Sequence, residues 1–462
     1  MHVKALVIGG GLSGLAAAIR IARFHPDVLL LEKHTRAGGL NSYYYRNNRL
    51  IETGLHAITN YAPKTEKKAP LNRLLRQLKI QRDRIGFQQQ IHSEIYFQGQ
   101  ESLCFSNDFD EIFDEIRVKF RQEEHSFTKL VRYIDSINPF ITSPFVSARE
   151  VISRYIGNPL LVDMLLCPLF YYGSSWEDDM DFNQFVIMFR SIYQEGLFRP
   201  TGTIKDLLDY LVTHLENFGG AIRYKDVVKR ILSKNNSATG VILESGEEIT
   251  CDFLISTIGS DETKHLLGAE KKQTAGKRLG FVENILMIKS RVKNLLPSDK
   301  TCIFFNTAKQ FTFQKPANHV DLTSGVICLP YNFHDRHIEN EISEVRTTHL
   351  ANYGLWNKVS KDKATYASLK KEFADSSRTQ AEAIIGKFSS ELIFQDSFTP
   401  VTIKRFTSKI EGAIYGSPNK VRDGDIGFEN LFLAGTDQGF LGIVGAMLSG
   451  VSMVNRHILP KI

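Results

Sequence analysis

The N-terminal segment of the chain alternates short apolar runs with small residues. Val3–Ile8 is an apolar run of strand length, Leu12–Ile21 is rich in alanine, and Val28–Leu31 is a second apolar run. Continuous apolar runs are typical of parallel strands that are buried on both faces, and a helix connects such strands. The pattern therefore predicts a parallel β–α–β unit at the start of the chain.

The periodicity then changes from leucine-rich to aromatic-rich. Pro70 opens a run in which leucines recur at helical spacing with basic residues between them, which predicts a basic amphipathic helix over 70–84. The stretch SEIYFQGQESLCF alternates around Gly99 and predicts a β-hairpin. From Asp108 to about Asn217 the pattern is mostly helical, with many aromatic side chains.

Strand patterns return in the second half of the chain. Ala221–Leu232 and Thr239–Thr257 predict strands, and NNSATG predicts a turn between them. The stretch 279–394 mixes strands with helices, Asn430–Ala434 predicts a last buried strand, and an amphipathic helix follows it to the C-terminus.

These elements predict an α/β fold in which a Rossmann-like nucleotide-binding domain is assembled from separated segments. We place its segments at 1–84, 201–265 and 399–462. The segments 85–200 and 266–398 between them predict an inserted α+β substrate domain.

Composition and charge narrow the classes of protein. The 462 residues are 42% hydrophobic and 23% charged, a balance that excludes disordered, collagen-like and coiled-coil chains. The formal net charge is +6, and the segment 64–84 alone has eight basic and two acidic residues, a difference of six. Because the remainder of the chain is neutral overall, the charge does not favour a nucleic-acid-binding protein.

The cysteines and the longest apolar runs indicate the compartment. Cys104, Cys167, Cys251, Cys302 and Cys328 form no CxxC pair and have no histidine cluster beside them, which predicts free thiols and no metal site. No apolar run approaches the roughly 18 residues of a membrane span. Glycines interrupt the N-terminal run where a signal peptide would be continuous. We therefore expect a cytoplasmic protein.

A glycine fingerprint follows the first predicted strand. Gly9, Gly11 and Gly14 match GxGxxG, and Glu32 ends the second strand. Gly9 permits a tight turn, Gly11 lets a pyrophosphate approach the backbone, and Gly14 lets the helix pack on its strand. The free N–H groups of the helix N-terminus favour the anion, and Glu32 can accept hydrogen bonds from ribose hydroxyls. This context predicts a dinucleotide-binding site.

NAD and FAD share this fingerprint, so other residues must distinguish them. Gly38 and Gly39 follow Glu32, and LFLAGTDQGFLGIVGA near the C-terminus combines a strand, Asp437 and a helix that begins near Gly442. Asp437 can lie against ribityl hydroxyls, and the helix N-terminus can stabilise an anionic reduced flavin. The chain has no second GxGxxG and thus no dedicated nicotinamide domain.

These motifs resemble those of the phytoene desaturase, carotenoid isomerase and retinol saturase group of FAD-dependent oxidoreductases, within the amine-oxidase-like flavoprotein superfamily. The resemblance rests on VIGGGLSGLAAA, LLEKHTRAGGLNSYYYRNNRLIETGLHAIT, RPTGTIKDLLDYLVTHLENFGGAIRYKDVVKRI, EGAIYGSPNK and LFLAGTDQGFLGIVGAMLSG, which span nearly the whole chain. It implies an FAD-binding domain of the glutathione-reductase/amine-oxidase type. It also implies a substrate domain that encloses a long apolar tunnel.

The resemblance further implies which residues contact FAD. The backbone of Val228 would meet the adenine edge, and Gly442, Ile443, Val444 and Gly445 would border the flavin pyrimidine. The full set that we predict to bind the cofactor is Gly9, Gly11, Leu12, Ser13, Gly14, Glu32, Lys33, Gly38, Gly39, Leu40, Asn41, Gly54, Leu55, His56, Val228, Gly435, Asp437, Gly442, Ile443 and Val444.

The chain departs from the carotenoid desaturase pattern in two places. Leu40 and Asn41 follow Gly39 where the desaturases usually have an arginine, and Gly439 and Phe440 lie where they have a proline-rich motif. The terminal motif is closer to the retinol saturase branch. The resemblance therefore implies a flavin enzyme but leaves the direction of its reaction open.

Three features have both a functional and a structural interpretation. His56, in TGLHAIT, is the one catalytic candidate, because the resemblance places it beside the isoalloxazine, but it could equally be a structural histidine. The aromatic helices could line a tunnel or fill a core. The basic segment 64–84 could contact a membrane surface as a peripheral protein does, or could present a solvated face.

We therefore predict an FAD-dependent oxidoreductase that adds or removes hydrogen across carbon–carbon bonds of a lipophilic polyene or isoprenoid. The alternatives are a flavin amine or protoporphyrinogen-type oxidase and a carotenoid isomerase without net redox change. A binding protein similar to Rab GDP-dissociation inhibitors is disfavoured by the intact Gly9, Gly11, Gly14 and Glu32. A separate donor or acceptor of electrons, such as a quinone, oxygen or a nicotinamide, is implied.

Overall fold

The computed structural model describes residues 1–141, 143–269, 278–289, 299–335 and 342–462. Residues 270–277, 290–298 and 336–341 of the predicted substrate domain therefore lie outside the described residues. The strands are β1 His2–Ile8, β2 Val28–Glu32, β3 Tyr43–Arg46, β4 Arg49–Glu52, β5 Ile58–Thr59, β6 Phe87–Gln89, β7 His92–Phe97, β8 Ser102–Phe105, β9 Leu197–Pro200, β10 Ala221–Tyr224, β11 Val228–Lys234, β12 Ser237–Leu243, β13 Glu248–Ser256, β14 Gly280–Ile288, β15 Lys300–Asn306, β16 Ser324–Cys328, β17 Ser343–Ala351, β18 Leu392–Phe398 and β19 Leu431–Leu433. The helices are α1 Leu12–Ala22, α2 Pro70–Leu78, α3 Arg82–Ile85, α4 Phe109–Lys119, α5 Glu124–Ser136, α6 Ala148–Ser153, α7 Pro159–Gly173, α8 Phe182–Phe189, α9 Ile204–Asn217, α10 Ser260–Leu266, α11 Tyr353–Val359, α12 Lys363–Ile385, α13 Pro400–Thr407 and α14 Gly442–Met453.

The first sheet is built around the predicted β–α–β unit, which the structure confirms. β1 pairs in parallel with β2 and with β13, in the order β10-β2-β1-β13-β12-β11, and β19 also pairs with β13. Every residue of β2 is buried, as its continuous apolar run predicts. All these strands come from the segments 1–84, 201–265 and 399–462.

Helices α1 and α14 pack closely on this sheet because both contain small residues. A Cβ on Gly450 would lie only 2.1 Å from the carbonyl oxygen of Ser13, so the glycine is needed for this approach. The alanines of α1 are buried in the same apolar core. The contact holds the first turn of α1 against the C-terminal half of α14.

The second sheet has the strand order β18-β14-β17-β16-β15-β7-β8. Its pairs are antiparallel except for β7 with β15, which are parallel. All its strands come from 85–200 and 266–398. The predicted hairpin around Gly99 is confirmed as β7 and β8.

The aromatic helices predicted over 108–217 form one core with the second sheet. Phe170 and Phe189, on α7 and α8, are fully buried together with Phe304 of β15. Aromatic rings in this core stack or meet edge to face, for example Phe105 on Tyr193 at 5.3 Å between centroids. Most of the aromatic side chains therefore fill a core, and a smaller group reaches the cavity described below.

The helix predicted over 70–84 is not continuous, so this prediction is wrong. α2 ends at Leu78, because Lys79 adopts the left-handed conformation with φ 55°, and the short α3 follows. The leucines of α2 are buried in the core of the first sheet. Only its basic face is exposed, so the helix cannot lie on a lipid surface with its leucine face.

The turn predicted at NNSATG is shorter than expected. Asn235 and Asn236 both have positive φ, 48° and 62°, and β12 already begins at Ser237. Positive φ at both positions is the conformation of a two-residue hairpin loop of type I′, which asparagine tolerates better than most residues. None of the helices among the described residues is long and apolar enough to cross a membrane.

Candidate functional site

The glycine fingerprint forms a tight turn between β1 and α1. Gly9 has φ +101°, and a Cβ on Gly14 would lie 1.9 Å from the carbonyl oxygen of Gly9. Gly11 is the N-cap of α1, and no side chain caps the helix there. The first N–H groups of α1 thus face outward from the turn, an arrangement that favours an anion.

A second pair of glycines lies directly against this turn. Gly38 and Gly39 have φ +119° and +59°, and the N–H of Gly38 donates to the carbonyl of Gly10 at 2.8 Å. A Cβ on Gly39 would be 3.3 Å from the Cα of Gly11. The two backbones therefore form a narrow cradle without side chains, into which a pyrophosphate can fit closely.

Glu32 is held at the edge of this cradle by two backbone amides. Its Oε2 accepts from the N–H of Gly10 at 2.7 Å, and its Oε1 accepts from the N–H of His34 at 2.8 Å. The side chain is buried but lines the cavity. A fixed carboxylate at this place is suited to accept hydrogen bonds from ribose hydroxyls.

Two hydroxyl groups in the same wall have no partner among the described residues. Ser13 Oγ and Thr436 Oγ1 are inaccessible to solvent and make no hydrogen bond. Both residues line the cavity, one on α1 and the other after β19. Because buried hydroxyls are normally hydrogen-bonded, the pair indicates a polar ligand. The residues present therefore fit the pyrophosphate and ribityl groups of FAD.

The cavity continues beyond the cradle to the second sheet. Its volume is about 1860 Å³, well above the roughly 300–1,000 Å³ of a pocket for one small ligand. The wall opposite the cradle has an apolar part that includes Tyr171 and Tyr172 of α7, Phe281, Val326 and Cys328 of the second sheet, and Leu441. The same sheet also contributes polar side chains, among them Glu283 and Asp396. The volume and the two kinds of wall suit a dinucleotide and a separate apolar molecule together.

Most of the predicted cofactor residues line this one cavity. They are Gly9, Gly11, Leu12, Ser13, Glu32, Lys33, Gly38, Gly39, Leu40, Asn41, Gly54, His56, Val228, Gly435, Gly442 and Ile443. Gly442 begins α14, as predicted, so the N-terminus of this helix lies at the cavity wall.

Four of the predicted residues, Gly14, Leu55, Asp437 and Val444, do not line the wall of this cavity, and their contact with the cofactor stays a prediction. Gly14 packs against the turn, as described above. Leu55 and Val444 are buried in the core of the first sheet, because neighbouring residues on a helix or extended segment face different sides. Asp437 Oδ2 and Oδ1 accept from the N–H groups of Ser260 and Ser417, at 2.6 and 2.7 Å.

The carboxyl of Asp437 is buried but surrounded by groups that favour its charged form. Burial alone would raise the pKa of its carboxyl, but the charges of Lys409 and Lys420 and the two amide donors lower that pKa. Burial in turn lowers the pKa of Lys420 to about 8. Asp437 therefore joins the loops around the site, and the neighbouring Thr436 lines the cavity.

His56 lies in the cavity wall between the cradle and the apolar side. Its Nε2 is 2.8 Å from Oε1 of Glu283, which lies on β14 and also lines the cavity. The same oxygen accepts from Nη1 of Arg346 at 3.0 Å, and Nε of Arg346 donates to Glu344. The ring is thus attached to a buried network of charges.

The backbone on the other side of His56 is held by a second ion pair. Nη1 of Arg199 donates to the carbonyls of Leu55 and His56, and Nη2 donates to the carboxylate of Glu52. Burial opposes the charged form of Glu52, but Arg199, Arg346 and the N–H of Ile204 lower its pKa. Both Arg199 and Glu52 are buried.

The sequence interpretation missed these acidic and basic side chains. Glu283, Glu344 and Arg346 lie on β14 and β17, within otherwise buried strands. The sequence does contain a signal for them, a charged residue within a strand whose other residues predict burial. Such a residue needs a partner. Among the described residues, no cluster suited to a metal ion is present.

Comparison with known proteins gives a family and a fold. Residues 12–288 match the family described as flavin containing amine oxidoreductase. The human all-trans-retinol 13,14-reductase is 22% identical, over 99% of this chain and 85% of the relative. The chloroplastic prolycopene isomerase of Daucus carota is 23% identical, over 98% of this chain and 79% of the relative.

A solved structure of an oxidoreductase from Methanosarcina mazei matches the whole architecture. The TM-score is 0.68 at 15% identity, over 99% of this chain and 100% of the other. The likeness shows the fold, with its Rossmann-like domain and inserted substrate domain. The matches confirm the predicted resemblance, the fold class and FAD as the cofactor.

Proposed function

Because the chain belongs to the family of flavin-containing amine oxidoreductases and is an FAD-dependent oxidoreductase, we propose that it adds or removes hydrogen across carbon–carbon bonds of a lipophilic polyene or isoprenoid. The observation that carries this proposal is that the glycine cradle and an apolar wall, which includes Tyr171, Tyr172 and Phe281, border one shared cavity. A cofactor at the cradle and an apolar molecule at the wall would share that space.

Residues around the cradle would bind the cofactor, and residues of the apolar wall would bind the substrate. The α1 N-terminus, Ser13, Glu32 and Thr436 would hold the pyrophosphate, ribose and ribityl groups. When bound, the flavin supplies hydride exchange with the substrate. The aromatic and aliphatic wall would orient one bond of the substrate and exclude water, which favours hydride transfer over side reactions.

The relatives support this class of substrate. The names of the two enzymes given above refer to the 13,14-reduction of all-trans-retinol and to the isomerisation of prolycopene. Both substrates are long, apolar molecules with conjugated double bonds. Saturation, desaturation and isomerisation are therefore the reactions that the proposal covers.

Electron transfer and location complete the proposal. A separate quinone, oxygen or nicotinamide would exchange electrons with the flavin.

The protein would act in the cytoplasm. Residues 64–84 would bring it to anionic lipid as a peripheral protein. The leucines of α2 are buried, so this contact would be electrostatic and would weaken with salt.

The test is an anaerobic incubation of the flavin-loaded protein with retinoids, carotenoids and quinones, followed by mass analysis. Loss of two hydrogens with oxidised protein would identify a desaturase, and gain of two with reduced protein a saturase. A changed retention at unchanged mass would identify an isomerase. If no lipid changes and a polyamine or a porphyrinogen consumes oxygen instead, the proposal is wrong and the oxidase alternative replaces it.

A further inference from the structure

We propose that Glu283 is a positioning residue that binds Nε2 of His56 and leaves Nδ1 as the ring nitrogen that exchanges a proton with the substrate. The inference rests on the proposed function, because it names the proton partner of that same reaction. It starts from a geometry that the sequence does not reveal, since His56 and Glu283 are far apart along the chain.

The first step is the contact itself. Nε2 of His56 and Oε1 of Glu283 are 2.8 Å apart, a normal distance for a charge-assisted hydrogen bond. A carboxylate only accepts, so Nε2 carries the hydrogen in this pair. Among the described residues Nδ1 has no hydrogen-bond partner, and the residue lines the cavity. Nδ1 is therefore the nitrogen available to a bound molecule.

The side chain of Glu283 is held in place by other residues of the second sheet. Its side chain lies on the same face of the second sheet as Arg346, because Arg346 pairs with Ile285, two residues from Glu283 on β14. Glu344 lies two residues before Arg346 on β17 and shares that face. Nη1 and Nε of Arg346 bind the two carboxylates, so Glu283 is fixed before any ligand arrives.

The backbone of His56 is held separately from its ring. The guanidinium of Arg199 donates to the carbonyl of His56 at 3.1 Å and to that of Leu55. Arg199 is itself held by Glu52. The ring and the backbone of His56 are thus fixed from different strands, β14 and β9. Such double support is what a group needs to transfer a proton in one geometry.

Charged groups on the neighbouring strands surround the pair formed by His56 and Glu283. Glu52 lies on β4, Arg199 on β9, Glu283 on β14, and Glu344 and Arg346 on β17. Tyr44 of β3 lies nearby, and its hydroxyl donates to Asp396 of β18 at 2.8 Å. Arg46 and Lys370 pair with Asp396. None of these groups is hydrogen-bonded to Nδ1 within the described part of the chain.

The proton moves between Nδ1 of His56 and the substrate carbon next to the one that exchanges the hydride. In saturation, one carbon of the double bond gains a hydride from reduced flavin and its neighbour gains a proton. The Nδ1–H bond of the imidazolium breaks, its electron pair stays on nitrogen, and the π electrons of the substrate form the new C–H bond. In desaturation the neutral Nδ1 lone pair would accept the proton from carbon instead, and the neighbouring carbon would lose its hydride to the bound oxidised cofactor.

The test compares Glu283→Gln with the wild type in the flavin-loaded protein. Nitrogen-15 NMR of labelled histidine, assigned with His56→Gln, reports which ring nitrogen carries the hydrogen. We expect Nε2–H in the wild type and a larger share of Nδ1–H in the variant, because Arg346 keeps the amide oxygen toward the ring and a neutral amide oxygen is a weaker acceptor than a carboxylate. With all-trans-retinol and lycopene as probes, we expect kcat to fall about 100-fold or more while KM changes little.

Two further variants separate positioning from other effects. Glu283→Asp keeps the charge but withdraws it from the ring, so we expect the same direction of change with less loss of stability. Glu94→Gln removes another carboxylate of the same sheet, one that pairs with Lys300 away from the cavity, and should leave the tautomer and kcat unchanged.

The outcomes for the inference and for the proposed function are distinct. If neither probe nor any other polyene is converted, the proposed function fails, and the tautomer alone decides whether Glu283 positions His56. If a polyene is converted, an unchanged tautomer or an unchanged kcat in both Glu283 variants overturns the inference. An equal loss in Glu94→Gln also overturns it.

Discussion

Removing the hydroxyl of Ser13 should move stability and cofactor affinity in opposite directions. Ser13 Oγ is buried and makes no hydrogen bond within the described part of the chain. In the flavin-free protein it is a desolvated polar group, which costs about 1–3 kcal/mol. We therefore expect Ser13→Ala to stabilise the flavin-free protein by about 1 kcal/mol, or roughly 1 °C in Tm for a protein of this size.

The same substitution should weaken FAD binding. If Ser13 Oγ donates to the pyrophosphate, the lost bond is charge-assisted and amounts to about 1.5–3 kcal/mol. At 1.4 kcal/mol per factor of ten, this raises Kd about 10- to 150-fold. Flavin fluorescence titration measures Kd, and thermal unfolding with and without FAD measures both stabilities.

Ser449 provides the matched control. Its hydroxyl is also buried, but it accepts from the N–H of Gly435 at 2.6 Å and donates to Gln438. Ser449→Ala should destabilise the protein with and without FAD, because it leaves a buried amide unpaired. The reasoning about the site is refuted if Ser13→Ala behaves like Ser449→Ala, or if its FAD affinity is unchanged.

Further substitutions test the packing and the ion pairs. Gly14→Ala places a Cβ 1.9 Å from a backbone oxygen, so we expect a loss of about 3 kcal/mol or more by chemical denaturation; an unchanged midpoint would contradict the close packing. The lowered pKa of Glu52 means that its contribution to stability is present above its unfolded pKa and lost as the pH falls through its folded pKa. Unfolding between pH 7 and pH 3 should therefore show a smaller acid destabilisation in Glu52→Gln, and parallel curves would argue against a charged Glu52. Arg199→Met should cost about 3–5 kcal/mol, because it leaves that carboxylate unpaired, and adding Glu52→Met should recover much of the loss. Cys302 and Cys328 face each other with sulfurs 3.7 Å apart, so diamide should join them with a mass loss of two hydrogens, slowly at neutral pH because burial raises the pKa of Cys328; peptide mapping that finds both thiols free would contradict this register.

The N-terminal part of the fold could be predicted because its determinants are close together in the sequence. The run Val3–Ile8, the glycines and the apolar strand that ends at Glu32 each act on the next element. Strand, turn and helix there depend on local conformation and on burial on both faces. The position of Glu32 follows directly, since the end of a strand fixes where its last side chain lies.

The orientation of single residues within a motif could not be predicted. Gly442 and Ile443 line the cavity, but Val444 is in the core, because successive helical residues differ by about 100° in direction. Asp437 was expected in the wall by analogy, yet two backbone amides from distant loops bind it. Such contacts depend on how separate segments pack, which no local pattern contains.

The break after Leu78 shows the same limit for a helix. The leucine periodicity ends at Leu78, since Gln81 and Arg82 follow at helical spacing, but no glycine or proline marks the end of a helix there and basic residues continue to Arg84. In the structure Lys79 leaves the helical region, and the N–H of Ile80 donates to the carbonyl of Leu75. Ile80 thereby joins the core that buries the leucines. Tertiary packing decided the end of this helix over its local propensity.

The buried charges around His56 are costly, and stability alone does not account for them. Glu52, Arg199, Glu283, Glu344 and Arg346 are all buried beside a cavity with a largely apolar wall. Buried ion pairs commonly stabilise a fold no better than well-packed apolar side chains of the same volume. What they do provide is fixed direction, because each guanidinium binds two or more acceptors at once. In this protein Arg199 binds the backbone carbonyl of His56, and Arg346 binds Glu283, which contacts the ring of His56. The proton transfer that we propose for this histidine is a reaction for which such precision matters.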